Sequence, residues 1–400
     1  MAETRIPPPG SAPTSANATR PVRAAIGALT TTIAVTVPVF LVGGLAVQVS
    51  DELRFSPAGL GLAVSAYFGA SALASVPAGA LVERYGSVRI SRYGIALSAA
   101  SLFGIAVAAS ALWSLVAILA LGAGANAMGQ LASNTSLSRH VPARRQGLSF
   151  GVKQAAIPVC TLLAGAAVPA VALTVGWRWA FVLAGVLAAG AILLVPGEPD
   201  GGRRGRDHTA KQATAALIVI GVAATLAAGA ANALGTFLVD SAVARGIGPG
   251  AAGLALTLGG AVCVTARILG GWQADLHPGR QVGVIAGLLG CGAIGLALLA
   301  VPNTFALVAG VVLGFGLGWS WPGLMNFAVV RLHPQAPAAA TSITQTGVYA
   351  GGCVGPLGLG TLATVFGYPT MWAVAAVAML AAGILMLVGS RLLRAHPAVV

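Results

Sequence analysis

From residue 24 onward, long apolar runs alternate with short polar breaks. The runs cover roughly 24–49, 57–82, 88–109, 112–137, 148–173, 179–196, 214–241, 249–274, 281–301, 304–330, 338–365 and 369–390. A helix crosses the hydrocarbon core of a bilayer in about 20 residues, and each run meets or approaches that length. The runs are continuous and too long for barrel strands, so the pattern predicts an all-α membrane protein with twelve transmembrane helices. The breaks divide the chain further. Residues 1–23, rich in Pro, Ser, Thr and Ala, are expected to form a disordered tail with no cleavable signal peptide. Two six-helix bundles are expected at 24–196 and 214–391, joined by a polar linker at 197–213 and followed by a short tail at 392–400.

The two bundles read as one unit repeated. Adding 192 carries Pro57 and Gly61 onto Pro249 and Gly253, Gly79 onto Gly271, Gly122 and Gly124 onto Gly314 and Gly316, and Asn134 onto Asn326. Gln154 and Gly176 fall one short, on Gln345 and Gly367. A register held this far predicts two parallel six-helix repeats, an architecture of transporters whose site lies between the repeats. Polarity within the spans adds detail. The sixth, ninth and twelfth are apolar on every face and are expected at the periphery. Other spans carry one polar stripe at i, i+4, i+8: Tyr67, Ser71 and Ser75; Asn126, Gln130 and Asn134; Asn232, Thr236 and Asp240. Such stripes face either an aqueous cavity or a neighbouring helix, where each hydrogen bond contributes about 0.6 kcal/mol.

Composition agrees with a bilayer as solvent: 57% of residues are hydrophobic, 8% are charged and mean hydropathy is +0.89. The net charge of +13 does not mark a nucleic-acid surface, because the 22 Lys and Arg are scattered among the apolar runs. With the N-terminus inside, 17 of them face the cytoplasm and 3 face outward, which places both termini in the cytoplasm of a cell-membrane protein. Cys160, Cys263, Cys291 and Cys353 stand singly in apolar segments and the five histidines fall in breaks or the tail, so no metal or cofactor site is expected. An enzyme is not expected either.

The break after the second span reads Gly79-Ala-Leu-Val-Glu83-Arg84-Tyr-Gly86-Ser-Val-Arg89. It resembles the signature loop of the major facilitator superfamily, G-x-L-x-(D/E)-R-x-G-x-(R/K)-(R/K), with one basic position replaced. A degraded copy follows the eighth span, keeping Gly271, Asp275 and Arg280. The resemblance runs from about residue 24 to 391 and implies two bundles around a central cavity that opens to each side in turn. It also implies a conformational latch at Gly79, Glu83, Arg84, Gly86, Arg89, Gly271, Asp275 and Arg280. In physical terms the glycines permit close approach and a tight turn, and the acid can accept from a helix N-terminus or pair with an arginine.

Two cations lie inside spans, Lys153 and Arg267. A charge at mid-span costs about 2.5–3.5 kcal/mol on insertion scales, so such residues are functional by default. Lys153 sits about five residues into its helix, where it can also snorkel to the surface, and Arg267 can also serve a gate salt bridge or a helix cap. The resemblance implies that the fifth and eighth helices meet across the domain interface, which puts both cations on one cavity wall. The candidate substrate is then a small organic or inorganic anion, bound by Arg267 and Lys153 with Gln154, Asn126, Gln130, Asn326, Gln345 and Tyr349 as neutral partners. The alternative is proton-coupled efflux of drugs or amphiphilic compounds. That reading wants a carboxylate within the N-terminal bundle, and the only acid inside a span is Asp240, a possible coupling group near the outer mouth. The expected partners are a small-molecule substrate coupled to protons or a counter-anion, and the lipid bilayer, with the chain acting as a monomer.

Overall fold

The computed structural model describes residues 15–142, 145–195, 215–276, 281–332 and 337–395, and within them there is no β-strand. The N-terminal bundle comprises α1 (Ser15–Gly44), α2 (Ala46–Leu53), α3 (Pro57–Tyr85), α4 (Ser87–Ala108), α5 (Leu112–Gly122), α6 (Gly124–His140), α7 (Gln146–Ala167) and α8 (Trp177–Ala191). The C-terminal bundle comprises α9 (Ala215–Val243), α10 (Pro249–Leu276), α11 (Gln281–Leu299), α12 (Thr304–Leu313), α13 (Trp321–Leu332) and α14 (Pro337–Ala395). Among the described residues, eleven helical stretches are long and apolar enough to span a bilayer, the last covering Thr344–Leu392. Gly367 inside that stretch has φ 83°, outside the helical region, so it holds two crossings and the total is twelve.

Several boundaries follow from single residues. Pro57 and Pro249 open α3 and α10, where a missing N–H costs nothing. Gly86, at φ 84°, ends α3 and turns the chain into α4. The fourth and tenth spans break at corresponding glycines: α5 gives way to α6 at Ala123, and a π-helical turn over Gly314–Gly318 separates α12 from α13. Two expectations need adjusting. Helix α1 starts at Ser15, inside the stretch expected to be unstructured, and the run expected at 24–49 divides at Leu45 into α1 and the short α2. The linker at 197–213 lies outside the described residues, as does Arg280.

The apolar spans are peripheral, with Leu187 on α8, Ile294 on α11 and Val377 on α14 among the exposed large side chains. Helix α4 shares that position, exposing Tyr93 and Val107. The bundles meet along two seams, α7 against α10 and α3 against α14, with α1 against α9 between them. Glycine makes the seams close. A Cβ on Gly165 would lie 2.4 Å from the Gly253 carbonyl oxygen, and one on Gly61 would lie 2.2 Å from that of Pro356. Backbone therefore touches backbone, as in other small-residue crossings of membrane helices.

We call the side carrying the Gly86 turn the near face and the side carrying Gly176, Gly246 and Gly367 the distal face. On the distal face, the Trp177 indole donates to Glu52 Oε2 at 2.6 Å and Arg178 Nη2 pairs with Glu52 Oε1 at 2.7 Å. Arg178 also donates to the carbonyls of Ala106 and Ala109 at the end of α4, and lies over the Trp177 ring. These donors, Arg178 foremost and then Trp177, hold the Glu52 carboxyl below its ordinary pKa.

Candidate functional site

The two intramembrane cations meet at the α7–α10 seam, and backbone chemistry explains one of them. Pro158 sits inside α7 and has no N–H, so the carbonyl of Gln154 one turn earlier loses its helical donor. Arg267 Nη1, from α10, donates to that carbonyl. The other side of the guanidinium serves a second carbonyl outside the regular ladder. Trp319 lies in the turn between the π-helical segment and α13, and its oxygen accepts from Arg267 Nε at 3.0 Å and Nη2 at 2.6 Å. The Trp319 ring stands 5.7 Å from the guanidinium carbon and 5.5 Å from the ring of Phe40 on α1, a contact between the bundles.

Arg267 is 2% exposed and binds backbone in both bundles. In this conformation it ties α7, α10 and the tenth span together and does not present an open fork. That differs from the cavity-facing role expected from sequence. Asp275, eight residues further on, does not pair with it; the carboxylate instead accepts from the Gly147 and Leu148 amides at 3.0 and 2.9 Å. Those are amides of the first turn of α7, so an acid of the C-terminal bundle caps a helix of the N-terminal bundle at the near face. Gly147 makes this possible, since a Cβ there would lie 2.5 Å from Asp275 Oδ1, and Gly271 packs against Gly147 and Gly151 beside it.

Lys153 is 1% exposed and does not snorkel. Its ammonium reaches from α7 to Gln130 Oε1 on α6, two helices that barely touch directly, so the bond crosses the space between them. Neither cation has a carboxylate among its described hydrogen-bond partners. Around this pair stand Gln154, whose side-chain oxygen has no partner, and Asn126, one turn along α6 from Gln130. Asn126 Nδ2 donates to Ser71 Oγ at 3.2 Å and its Oδ1 has no partner. Gly323 of α13 packs against Gln154, and Asn326 is buried one turn beyond it.

The remaining predicted residues lie elsewhere. Tyr349 bonds Gln345 on its own helix and Ser75 on α3, at the other seam. The stripe on α3 is occupied by packing: Tyr67 donates to the Val35 carbonyl of α1 at 2.6 Å, and Ser71 to the carbonyls of Tyr67 and Ala123. The stripe on α9 is likewise turned onto protein, with Asn232 and Thr236 bonding one turn back and Asp240 accepting from Tyr368. Only the α6 stripe keeps unfilled polar capacity, at Asn126 and Asn134. In the signature loop Glu83, Arg84 and Arg89 are exposed and Arg84 lies over the Tyr85 ring. Gly86 makes the turn, whereas Gly79 has room for a side chain, its added Cβ meeting only Leu131 at 4.0 Å. Sequence reading missed Pro158 as the source of a free carbonyl, Trp319 as its counterpart, and the Glu52–Trp177–Arg178 clasp.

Comparison with known proteins bears on the whole chain. A family model described as the Major Facilitator Superfamily matches residues 24–218 and 220–398. An uncharacterised MFS-type transporter of Burkholderia pseudomallei (strain 1106a) is 28% identical over 353 residues, covering 84% of each chain, and one of Burkholderia mallei (strain SAVP1) matches to the same extent. Among solved structures, a bacterial homologue of the human lysosomal transporter Spinster, crystallised in an inward-facing and occupied conformation, superposes with TM-score 0.70 at 16% identity. The match covers 96% of this chain and 97% of that one.

Proposed function

Because this chain belongs to the Major Facilitator Superfamily, whose members are secondary transporters that work by alternating access, we propose that it carries a small anion bound at Lys153. The observation behind this reading is the setting of that lysine. A fully buried ammonium is held across the bundle by one neutral amide oxygen, with the Arg267 guanidinium behind it at Gln154 and no carboxylate among their described partners. Two cations without a counter-charge are costly in a low-dielectric interior, and an anion entering between the bundles supplies the missing charge. Gln130 holds the charge, and Asn126 and Gln154 stand on the same stretches of α6 and α7. Asn326 lies on the α13 face behind them, and Gln345 and Tyr349 form part of the opposite seam.

The latch of this transporter is assigned to Asp275 on the α7 N-terminus, supported by Gly147 and Gly271, with Glu83, Arg84, Gly86 and Arg89 forming its counterpart in the first bundle. The excess of Lys and Arg in the near-face segments supports cytoplasmic termini in a cell membrane. Asp240 belongs to the distal clasp with Tyr368, and we assign it no transported proton.

The test uses purified full-length protein in liposomes, with uptake of labelled acetate, lactate, succinate and phosphate read against Lys153→Met. Uptake of at least one anion by the native protein and its loss in the variant is expected. Uptake of none of them, together with thermal stabilisation by tetraphenylphosphonium that Lys153→Met leaves intact, would replace this reading with drug efflux.

A further inference from the structure

The anion reading accounts for the charge at this site but leaves two buried acceptors without donors. Asn126 is 2% exposed and Gln154 is 6% exposed, and the side-chain oxygen of each has no hydrogen-bond partner. The orientation of Asn126 is fixed by its neighbours. Its amide nitrogen donates to Ser71 Oγ, and the single Ser71 proton is already directed at the Tyr67 and Ala123 carbonyls, 2.8 and 3.1 Å away. With the Ser71 proton on either carbonyl, the amide nitrogen is the atom that faces Ser71 and Oδ1 is left free. A buried acceptor left without a donor is disfavoured by as much as a hydrogen bond or more, and two of them on the helices that carry the Lys153–Gln130 bond point to a ligand that brings donors.

The chemistry of those donors is constrained by the charge nearby. An ammonium group on the ligand would sit beside Lys153 and Arg267 with no carboxylate among their described partners to hold it. A neutral hydroxyl has no such penalty. Distance limits the ligand further. Gln130, which holds the Lys153 ammonium, is one helical turn from Asn126, about 6 Å, and Gln154 is the residue next to Lys153. Charge and acceptors therefore belong to adjacent turns of α6 and α7, a spacing that suits a short carbon chain.

We propose that the substrate is a hydroxylated carboxylate, a 2-hydroxy or polyhydroxy acid of about three to six carbons on the geometry of adjacent helical turns, its carboxylate on Lys153 and its hydroxyls donating to Asn126 Oδ1 and Gln154 Oε1. The proposal rests on the anion reading and makes Asn126 and Gln154 the residues that set specificity. They select by hydroxyl count.

The experiment measures dissociation constants from thermal stabilisation of the purified protein by four acids of equal carbon number: propionate, lactate, glycerate and alanine. Each added hydroxyl is expected to tighten binding roughly 10-fold, the free energy of about one net hydrogen bond, while alanine binds no better than propionate. In Gln154→Met, and independently in Asn126→Leu, the preference for glycerate over propionate is expected to shrink roughly 10-fold, the share of one hydroxyl. Two variants are used so that a folding defect in one does not decide the matter. Equal binding of propionate and glycerate by the native protein overturns the hydroxyl assignment and leaves the anion reading standing. A preference for glycerate over propionate that stays undiminished in both variants moves the specificity away from these residues and also overturns it. Stabilisation by none of the four acids overturns the hydroxyl assignment, and where succinate and phosphate fail as well it overturns the anion reading with it.

Discussion

Gly176 and Gly367 break the helical path at the same point of the two repeats, at φ 100° and 83°, and each is followed by an aromatic residue that donates to a carboxylate. Trp177 donates to Glu52 beyond the end of α1, and Tyr368 donates to Asp240 near the end of α9. The same clasp thus joins the sixth helix of each repeat to the first. In the N-terminal copy an arginine is added, and Glu52 is correspondingly held in its charged form.

That shift gives the clasp a pH dependence. A carboxyl whose folded pKa is depressed contributes stability that is present above its unfolded pKa and is lost as pH falls through the folded one. Glu52→Gln is expected to lower stability at pH 7 by about 0.5 kcal/mol, the range of an exposed ion pair. The gap between variant and native protein should close as the pH is taken below the ordinary carboxylate range. Melting curves of both proteins from pH 7 to pH 3 check this, and a gap that stays constant with pH would show that the charge is not what matters.

Arg267 and Pro158 should be energetically coupled. Arg267→Gln leaves the Gln154 and Trp319 carbonyls buried with fewer donors, at about 1–3 kcal/mol for each acceptor left unsatisfied. Pro158→Ala restores a backbone N–H that can reach the Gln154 carbonyl, so the arginine is needed less. A double-mutant cycle of thermal stability is expected to be non-additive by about 0.5–3 kcal/mol, with the loss from Arg267→Gln smaller in the Pro158→Ala background. Additivity would mean that the two residues act apart.

The seams should tolerate substitution very unevenly. Gly253→Ala places a Cβ 2.7 Å from both the Gly165 carbonyl oxygen and Val168, and is expected to cost about 1–3 kcal/mol. Gly290→Ala in α11, where nothing lies within 4 Å of the added atom, is expected to be neutral or mildly stabilising through helix propensity. Parallel melting curves in one detergent make the comparison.

Removal of the near-face cap should shift a conformational balance as well as stability. Asp275→Ala leaves the Gly147 and Leu148 amides without their acceptor, a capping loss of about 1 kcal/mol. Because the acid and the amides belong to different bundles, the variant is expected to open the near face more often. A cysteine introduced at Gly323, where an added Cβ makes only ordinary contacts with Gly151 and Gln154 of the other bundle, should then react faster with a membrane-impermeant thiol reagent, in a background lacking the four native cysteines. An unchanged rate would reduce Asp275 to an ordinary cap.

The architecture was largely legible from residue order because it rests on local signals. Apolar length marked the crossings, and the offset that pairs Gly61 with Gly253 and Gly122 with Gly314 marked the repeat, since the same backbone problem recurs in each half. The presence of Lys153 within an apolar span was legible in the same way. What Arg267 holds was not, because its partners are main-chain oxygens 113 and 52 residues away, which no pairing of residue types reveals. A proline four residues after Gln154, together with a cation in the facing helix, was the available sign. The stripe on α3 left its neighbour open for a different reason: a period of three to four reports which face is polar, and it is silent on whether water or a neighbouring helix lies opposite.

The α7–α10 seam is built from main chain at Gly147, Gly151, Gly165, Gly253 and Gly271, and main chain has no rotamers to rearrange. When one bundle shears past the other, few side chains along this line need to be released, reordered and locked again. The resistance to motion is then concentrated in a handful of polar ties at its middle and near-face end, and ligand chemistry acting on those few bonds can steer the displacement of two whole bundles.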